Sequence, residues 1–296
     1  MAIVPPIKCH GIKTKLAPFI LQNIRWDGRG RWIEPFLGSG VVLFNMNPKR
    51  ALASDINPHI IRFYQELQKG KITGRVVREY LEREGKKLLE EGESYYYYVR
   101  DRFNREGNSL DFLFLTRACF NGVMRFNSKG EFNTPFCRKT DRFRKPYVTK
   151  IVNQVERVSA IMKNKDWEFR CCDWKEAFIE AKEDDFIYMD PPYIGRHTNY
   201  YDKWTQKDAI ELAEWAMKTP AGFALSMWGK NVYRYNTYIN KYWKNVVVRY
   251  YKHFYHVGSL ESYRHEMIEV LVIKKGYEST FSRDENAKMS QTLFRY

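Results

Sequence analysis

Short apolar runs of strand length alternate with stretches of helical spacing near both ends of the chain. Arg31-Trp32-Ile33-Glu34-Pro35-Phe36, Arg50 to Ser54, Trp167 to Cys172, Phe186 to Met189 and Ala221 to Met227 predict buried strands bounded by turn-forming residues. Leu16, Phe19, Ile20 and Ile24 recur at helical spacing, and Val41-Val42-Leu43-Phe44 opens a second helix. Thr205 to Asp208 has the pattern of a capping box, leading a helix through Leu212, Trp215 and Ala216. Asn245 to Tyr255 and Met267 to Lys274 predict a terminal strand pair. This alternation specifies the α/β class.

From about residue 59 to residue 165 the alternation lapses, and helical and irregular segments predict an insert or second domain. Glu79 to Glu91 predicts a charged helix with a solvated face, and Phe112 to Phe120 an apolar helical core segment. The four tyrosines from Tyr95 to Tyr98 divide between core and surface. Asn121 to Phe136, with its glycines, asparagines and spaced aromatics, predicts a hairpin or ordered loop. The tail from Gly276 is polar and weakly patterned.

The chemistry gathers where strands end. The run Phe186 to Met189 stops at Asp190-Pro191-Pro192-Tyr193, because proline cannot donate to a sheet ladder. A carboxylate, a backbone carbonyl and a flat ring then share the carboxyl edge of a sheet, where open α/β folds bind ligands. That set suits a planar ligand with an exocyclic amine, although the same residues also serve as plain turn formers. The first predicted strand runs into Leu37-Gly38-Ser39-Gly40 before a helix, a turn that lets backbone approach a ligand closely. The second ends at Asp55, placed to accept from ribose hydroxyls or to cap the helix beginning near His59. Asp55 follows Gly40 by 15 positions, and the third glycine of a dinucleotide turn is missing. Both features argue for a nucleoside cofactor without a pyrophosphate. Asp173-Trp174, at another strand end, pairs a carboxylate with a ring that could hold a purine.

Charge narrows the partner. With 50 Lys and Arg against 35 Asp and Glu, the 296-residue chain carries a formal +15, which points to a polyanion and to nucleic acid before membrane. The density is highest from Arg138 to Lys150, where Arg138, Lys139, Arg142, Arg144, Lys145 and Lys150 face one acid, Asp141. Just before it, Arg125, Asn127, Lys129 and Asn133 interleave with aromatics, a mixture that can grip phosphates and touch base edges. Arg196 lies in a polar aromatic loop after the Asp-Pro-Pro-Tyr turn. The five cysteines form no C-x-x-C pair, so zinc and disulfides are not expected. No charged leader precedes an apolar stretch and no run is long enough to span a bilayer, so a cytoplasmic protein is expected.

Glu34-Pro35-Phe36-Leu37-Gly38-Ser39-Gly40, followed about 150 residues later by Asp190-Pro191-Pro192-Tyr193, resembles the Dam-type, α-group DNA adenine-N6 methyltransferases over nearly the whole chain. Pro5 to Lys8, Gly11 to Lys15, Arg125 to Gly130, Asn133 to Phe136 and Asp190 to His197 are most similar to the EcoRV-type modification methylases within that group. The resemblance implies a Rossmann-like S-adenosylmethionine-dependent methyltransferase sheet with an inserted, mostly helical target-recognition domain. Residues 1–58 and 166–296 would form the catalytic domain and 59–165 the recognition domain. It implies S-adenosylmethionine held by Lys8, Lys13, Phe36, Gly38, Gly40, Asp55, Asp173, Trp174 and Asp190, with catalysis by Asp190, Pro191, Pro192 and Tyr193 and no metal. Duplex DNA is the implied partner, contacted through Arg125, Asn127, Lys129, Asn133, Arg138, Lys139, Arg142, Arg144, Lys145 and Arg196. A monomer in a prokaryotic or phage-infected cell is expected, and a cognate restriction endonuclease is the further partner the resemblance allows. Trp174 stands where relatives often carry Phe, and Cys137 where some carry Gly. Two other readings stay open on sequence: methylation of RNA adenine or a protein amide in the same pocket, and a DNA-binding regulator without catalysis.

Overall fold

A computed structural model describes residues 2–9, 11, 13–193, 204–230, 238–254 and 266–280. In chain order the elements are α1 (Ala17–Asn23), β1 (Trp32–Glu34), α2 (Val41–Met46), β2 (Arg50–Asp55), α3 (Pro58–Gln68), α4 (Gly74–Glu91), α5 (Glu93–Glu106), α6 (Ser109–Ala118), α7 (Lys145–Met162), β3 (Asp166–Cys171), α8 (Trp174–Ile179), β4 (Phe186–Met189), α9 (Gln206–Lys218), β5 (Gly222–Lys230), α10 (Tyr238–Tyr242), β6 (Val246–Phe254) and β7 (Glu266–Lys274). The strands form one sheet in the order β3-β2-β1-β4-β5-β7-β6, parallel from β3 to β5, with β7 antiparallel to both of its neighbours. This is the α/β class that the alternation predicts, in the Rossmann-like arrangement that the resemblance implies. Its order reverses between β1 and β4, so the loops leaving those strands diverge and open a crevice at the carboxyl edge.

Strand alternation separates two apolar layers. On β4, Phe186 and Tyr188 face one layer with Trp32, Phe44, Tyr64 and Phe169, while Ile187 and Met189 face the other with Phe178, Leu212, Phe223 and Trp243. Both faces of β4 are buried, which is why it reads as a continuous apolar run. The first layer continues into the helices between β2 and β3: Leu81, Leu88, Phe103, Phe112, Phe114 and Val155 belong to the same cluster.

Local chemistry sets the helix starts. Asn57 caps α3 by accepting from the His59 amide, so the cap is Asn57 rather than Asp55. Thr73 caps α4, Asn108 caps α6, and Thr205 with Asp208 forms the expected capping box on α9. The charged helix α4 has the expected solvated face, with Glu79, Glu82, Lys86 and Glu90 exposed, and a buried face opposite. It buries Tyr80, Leu81, Glu84, Gly85 and Leu88, and its one buried acid is paired with a neighbouring helix. Arg102 bridges the buried carboxylates of Glu84 (2.9 Å) and Asp111 (2.5 Å), and the Tyr95 hydroxyl donates to Glu84 at 2.6 Å. Of the four tyrosines, Tyr95 and Tyr96 are buried and Tyr98 is exposed. Arg117 of α6 is buried as well. Its guanidinium donates to the Pro6 carbonyl (2.8 Å) and to Gln154 Oε1 (2.6 Å), tying the chain before α1 to the helices. No helix among the described residues is long and apolar enough to cross a membrane.

Candidate active site

The glycine turn leaves β1 where the crevice opens, and its backbone is locked to β2. Gly38 and Gly40 have φ of 50° and 71°, in the left-handed region that favours glycine. The Gly38 amide donates to Asp55 Oδ2 at 2.8 Å, and the Asn57 amide donates to Asp55 Oδ1 at 2.9 Å. A side chain at Gly40 would press on the Phe44 ring at 2.8 Å, whereas Gly38 looks out toward Cys9 Sγ at 3.9 Å. Tyr64 donates its hydroxyl to the Ser39 carbonyl at 2.5 Å, supporting the turn from beneath. Burial raises Asp55, opposed by its two amide donors. Burial also pushes the Cys9 thiol up to about 11, so it stays a neutral neighbour of the turn.

At the end of β4 the ionisable groups converge. Lys13 Nζ lies 2.9 Å from Asp190 Oδ1 and 4.9 Å from the centre of the Tyr193 ring. The Tyr193 hydroxyl donates to Glu269 Oε2 at 2.6 Å, on β7. Burial works against a charged Lys13, but Asp190 and then Glu269 outweigh it and hold the ammonium well above its usual range. Burial raises Asp190, an effect that Lys13 partly offsets and Glu269 reinforces. Beside them Glu34, only 2% exposed, accepts from Trp32 Nε1 at 2.7 Å. Burial, helped by Asp190, pushes its carboxyl up to about 8, so it is largely neutral at pH 7. Tyr188 and Ser226 share a hydrogen bond of 2.7 Å on the same face of the sheet.

Aromatic rings wall the opposite side. Phe36 stacks on Trp174 at 6.4 Å and meets Trp204 edge-on at 5.4 Å. A mostly apolar recess opens next to them, lined by Pro191, Pro192, Tyr193, Trp204, Leu225 and Trp243. Among the described residues no group of three or more His, Cys, Asp and Glu could hold a metal.

The residues singled out by sequence thus fall into three groups at the crevice. Lys13, Asp190 and Tyr193 touch; Gly38, Gly40 and Asp55 form one turn; Phe36 and Trp174 stack. Asp173 is exposed and accepts from the Lys175 amide at 2.9 Å, capping α8. Lys8 lies against Gly122 of the insert, where any side chain would collide with its stem.

In the insert, Phe126 bridges Phe132 as the hairpin pattern predicts. Arg125 donates to Asn133 Oδ1 (2.7 Å) and to the Asn133 carbonyl (2.9 Å). Asn127 Oδ1 accepts from the Lys129 and Glu131 amides at 2.9 and 3.0 Å. Arg142 donates to the Arg117 carbonyl at 2.7 Å and lies over the Tyr147 ring at 4.6 Å. Lys129, Arg138, Lys139, Arg144 and Lys145 are exposed, and Phe120, beside the left-handed Asn121, exposes 53% of its surface. Arg196 lies outside the described residues. Sequence reasoning misses Glu269 and gives Glu34 no role. The one available signal for Glu269 is a lone acid inside the apolar run Met267 to Ile273.

This geometry meets independent matches to known proteins. The model of the D12 class N6 adenine-specific DNA methyltransferases matches residues 10–262, and the chain belongs to that family. It is accordingly an S-adenosylmethionine-dependent DNA adenine-N6 methyltransferase. A type II methyltransferase, M.MjaIII of Methanocaldococcus jannaschii, is 32% identical over 74% of this chain and 81% of its own. A DNA adenine methylase of Haemophilus influenzae is 35% identical over 57% of each, and a DNA N-6-adenine-methyltransferase of Escherichia phage P1 is 32% identical over 55% of this chain and 21% of its own. A solved rRNA methyltransferase of Streptomyces viridochromogenes overlays with a TM-score of 0.37 at 14% identity, covering 88% of this chain and 83% of that one, an overlap too slight to build on. The crevice fits the family's cofactor: Gly38 leaves its outer side open, Asp55 and Asp190 offer acceptors, and aromatic walls flank them.

Proposed function

We propose that Asp190 and the Pro191 carbonyl hold the exocyclic amine of a flipped-out adenine while Tyr193 stacks on its ring. The observation that carries this reading is Lys13. Its ammonium, a nitrogen donor, already lies 2.9 Å from the Asp190 carboxylate and over the Tyr193 face. The adenine amine takes the same carboxylate as its acceptor, and the adenine ring takes the aromatic partner. It is a poor nucleophile because its lone pair is delocalised into the ring; hydrogen bonds to Asp190 and Pro191 favour a pyramidal nitrogen and free that pair. S-adenosylmethionine supplies the methyl group and its own leaving group, so the protein's share is positioning and electrostatics. The burial that raises Asp190 suits it to receive the amine proton late, after the nitrogen–carbon bond forms. Stacking on Tyr193 offsets the base stacking lost in extrusion.

The cofactor pocket in this reading comprises Lys8, Lys13, Phe36, Gly38, Gly40, Asp55, Asp173, Trp174 and Asp190. Residues 59–165 form the target-recognition domain between catalytic parts 1–58 and 166–296. Arg125, Asn127, Lys129 and Asn133 reach the bases, while Arg138, Lys139, Arg142, Arg144, Lys145 and Arg196 hold phosphates. The enzyme acts as a monomer in the cytoplasm of a prokaryotic cell. Its EcoRV-like segments Arg125 to Gly130 and Asn133 to Phe136 support a site beginning GAT, with GATATC the first to test. Mapping modified adenines in host DNA decides the site. The decisive assay for the chemistry is labelled-methyl transfer to duplex DNA. Asp190→Ala is expected to abolish transfer with DNA binding still measurable, and unchanged turnover overturns the role given to Asp190.

A further inference from the structure

Glu269 interrupts an apolar strand at a place where a leucine would extend the core. On β7 it shares its face with Leu271 and Ile273, both in the cluster beneath the sheet, and it is 2% exposed. Burying a carboxylate is unfavourable unless partners compensate. The partners in view are the Tyr193 hydroxyl at 2.6 Å and the charge of Lys13, both belonging to the candidate site. The backbone opposite is adapted to this spot. Trp228 of β5 pairs with Glu269 and Lys230 with Ile268, so the register slips by one residue at Gly229. A side chain at Gly229 would run into Val270 and approach the Ile268 carbonyl at 3.3 Å. Bulges re-aim side chains and recur beside active sites.

We propose that Glu269 is a positioning residue for adenine transfer: by accepting the Tyr193 hydroxyl it fixes the plane of the ring on which the flipped base stacks. The inference rests on the reading of Asp190 and Tyr193 as the base-holding pair. Tyr193 leaves β4 on a two-proline turn, which fixes the backbone but leaves the ring free to rotate about its side-chain bonds. A hydroxyl anchored on β7, a strand two places along the sheet, removes that freedom before DNA arrives. The ring then holds one fixed plane for a base to stack on.

The test is a double-mutant cycle with Tyr193→Phe and Glu269→Ala, assayed by single-turnover methyl transfer and by fluorescence of duplex DNA carrying 2-aminopurine at the target adenine. Each single variant is expected to lower the transfer rate about tenfold, with duplex affinity unchanged and the stacked-base quenching reduced. The double variant should be no worse than the poorer single one, because both remove the same bond. Glu269→Gln keeps an acceptor and should retain most of the quenching. If Glu269→Ala folds poorly, the cycle is run with Glu269→Leu, which fills the core. Effects that multiply, or a Glu269 variant with wild-type rate and quenching, overturn the proposal. Asp190→Ala is the control for the underlying reading: full transfer by that variant removes the site itself. An inactive Asp190→Ala with multiplying Tyr193 and Glu269 effects removes only Glu269.

Discussion

The edge of the sheet and the basic segment of the insert treat charge in opposite ways. At the edge, Lys13, Asp190, Glu269 and Glu34 are buried or nearly so, each within reach of another polar group. In the insert, Lys129, Arg138, Lys139, Arg144 and Lys145 are exposed, while Arg125 and Asn127 direct donors or acceptors to their own hairpin and Arg142 donates to the Arg117 carbonyl of α6. A preorganised charge acts strongly on a reacting atom because it needs no rearrangement. An exposed cation contributes mainly by displacing the counterions condensed on DNA. The two regions should therefore fail differently when altered.

The sharpest separation is between chemistry and grip. Asp190→Ala should reduce methyl transfer by about 10³-fold or more while duplex binding in a filter or anisotropy assay stays measurable. Similar losses in both would join the two regions functionally. Second in size, Glu34→Gln should change how stability depends on pH. The folded state keeps a proton on Glu34 up to about pH 8, whereas an unfolded glutamate releases it near 4.5. The stabilisation is thus complete below pH 4.5 and lost as pH rises toward 8, by at most about 1.4 kcal/mol per pH unit. Urea midpoints at pH 5, 7 and 9 should decline less in the glutamine variant than in the wild type; parallel declines would remove Glu34 as the cause.

Changing Arg142, Arg144 and Lys145 to Gln should weaken DNA binding and flatten its salt dependence, by a slope of about one for each phosphate left without its cation. Transfer at saturating DNA should hold, and an unaltered slope would take that segment out of the interface. Asn133→Ala should have the smallest effect, about 1 kcal/mol of stability, because it frees Arg125 Nε from its 2.7 Å acceptor. The proposed base contact of Arg125 then predicts a relaxed preference at one position on a panel of substituted duplexes. A stable variant with unchanged preference would leave Arg125 outside base readout.

Much of the edge is legible in the sequence because its residues obey backbone rules that need no tertiary knowledge. Two prolines must end a strand, and a glycine pair must turn one, so Asp190 and the Gly38–Gly40 turn can be placed without coordinates. Thr205 and Asp208 announce α9 by the same local logic. Glu269 escapes because its meaning depends on Tyr193, 76 positions away, and on a register slip that no pattern encodes. The cap of α3 is ambiguous for a related reason. Asp55 and Asn57 are equally good cap formers, and only the Gly38 amide, brought in by the parallel pairing of β1 and β2, recruits Asp55 elsewhere. The apolar face of α4 is hidden by Glu84, which looks solvent-bound until Arg102 and Tyr95 surround it.

The buried Arg117 has a practical consequence for engineering specificity. Its guanidinium grips the Pro6 carbonyl, and a few residues on Lys8 is moulded to Gly122. The leading segment therefore packs against the helices between β2 and β3. A chimera that transplants only residues 59–165 from a relative would leave that seam mismatched, so such an exchange should carry Pro5 to Lys8 with it.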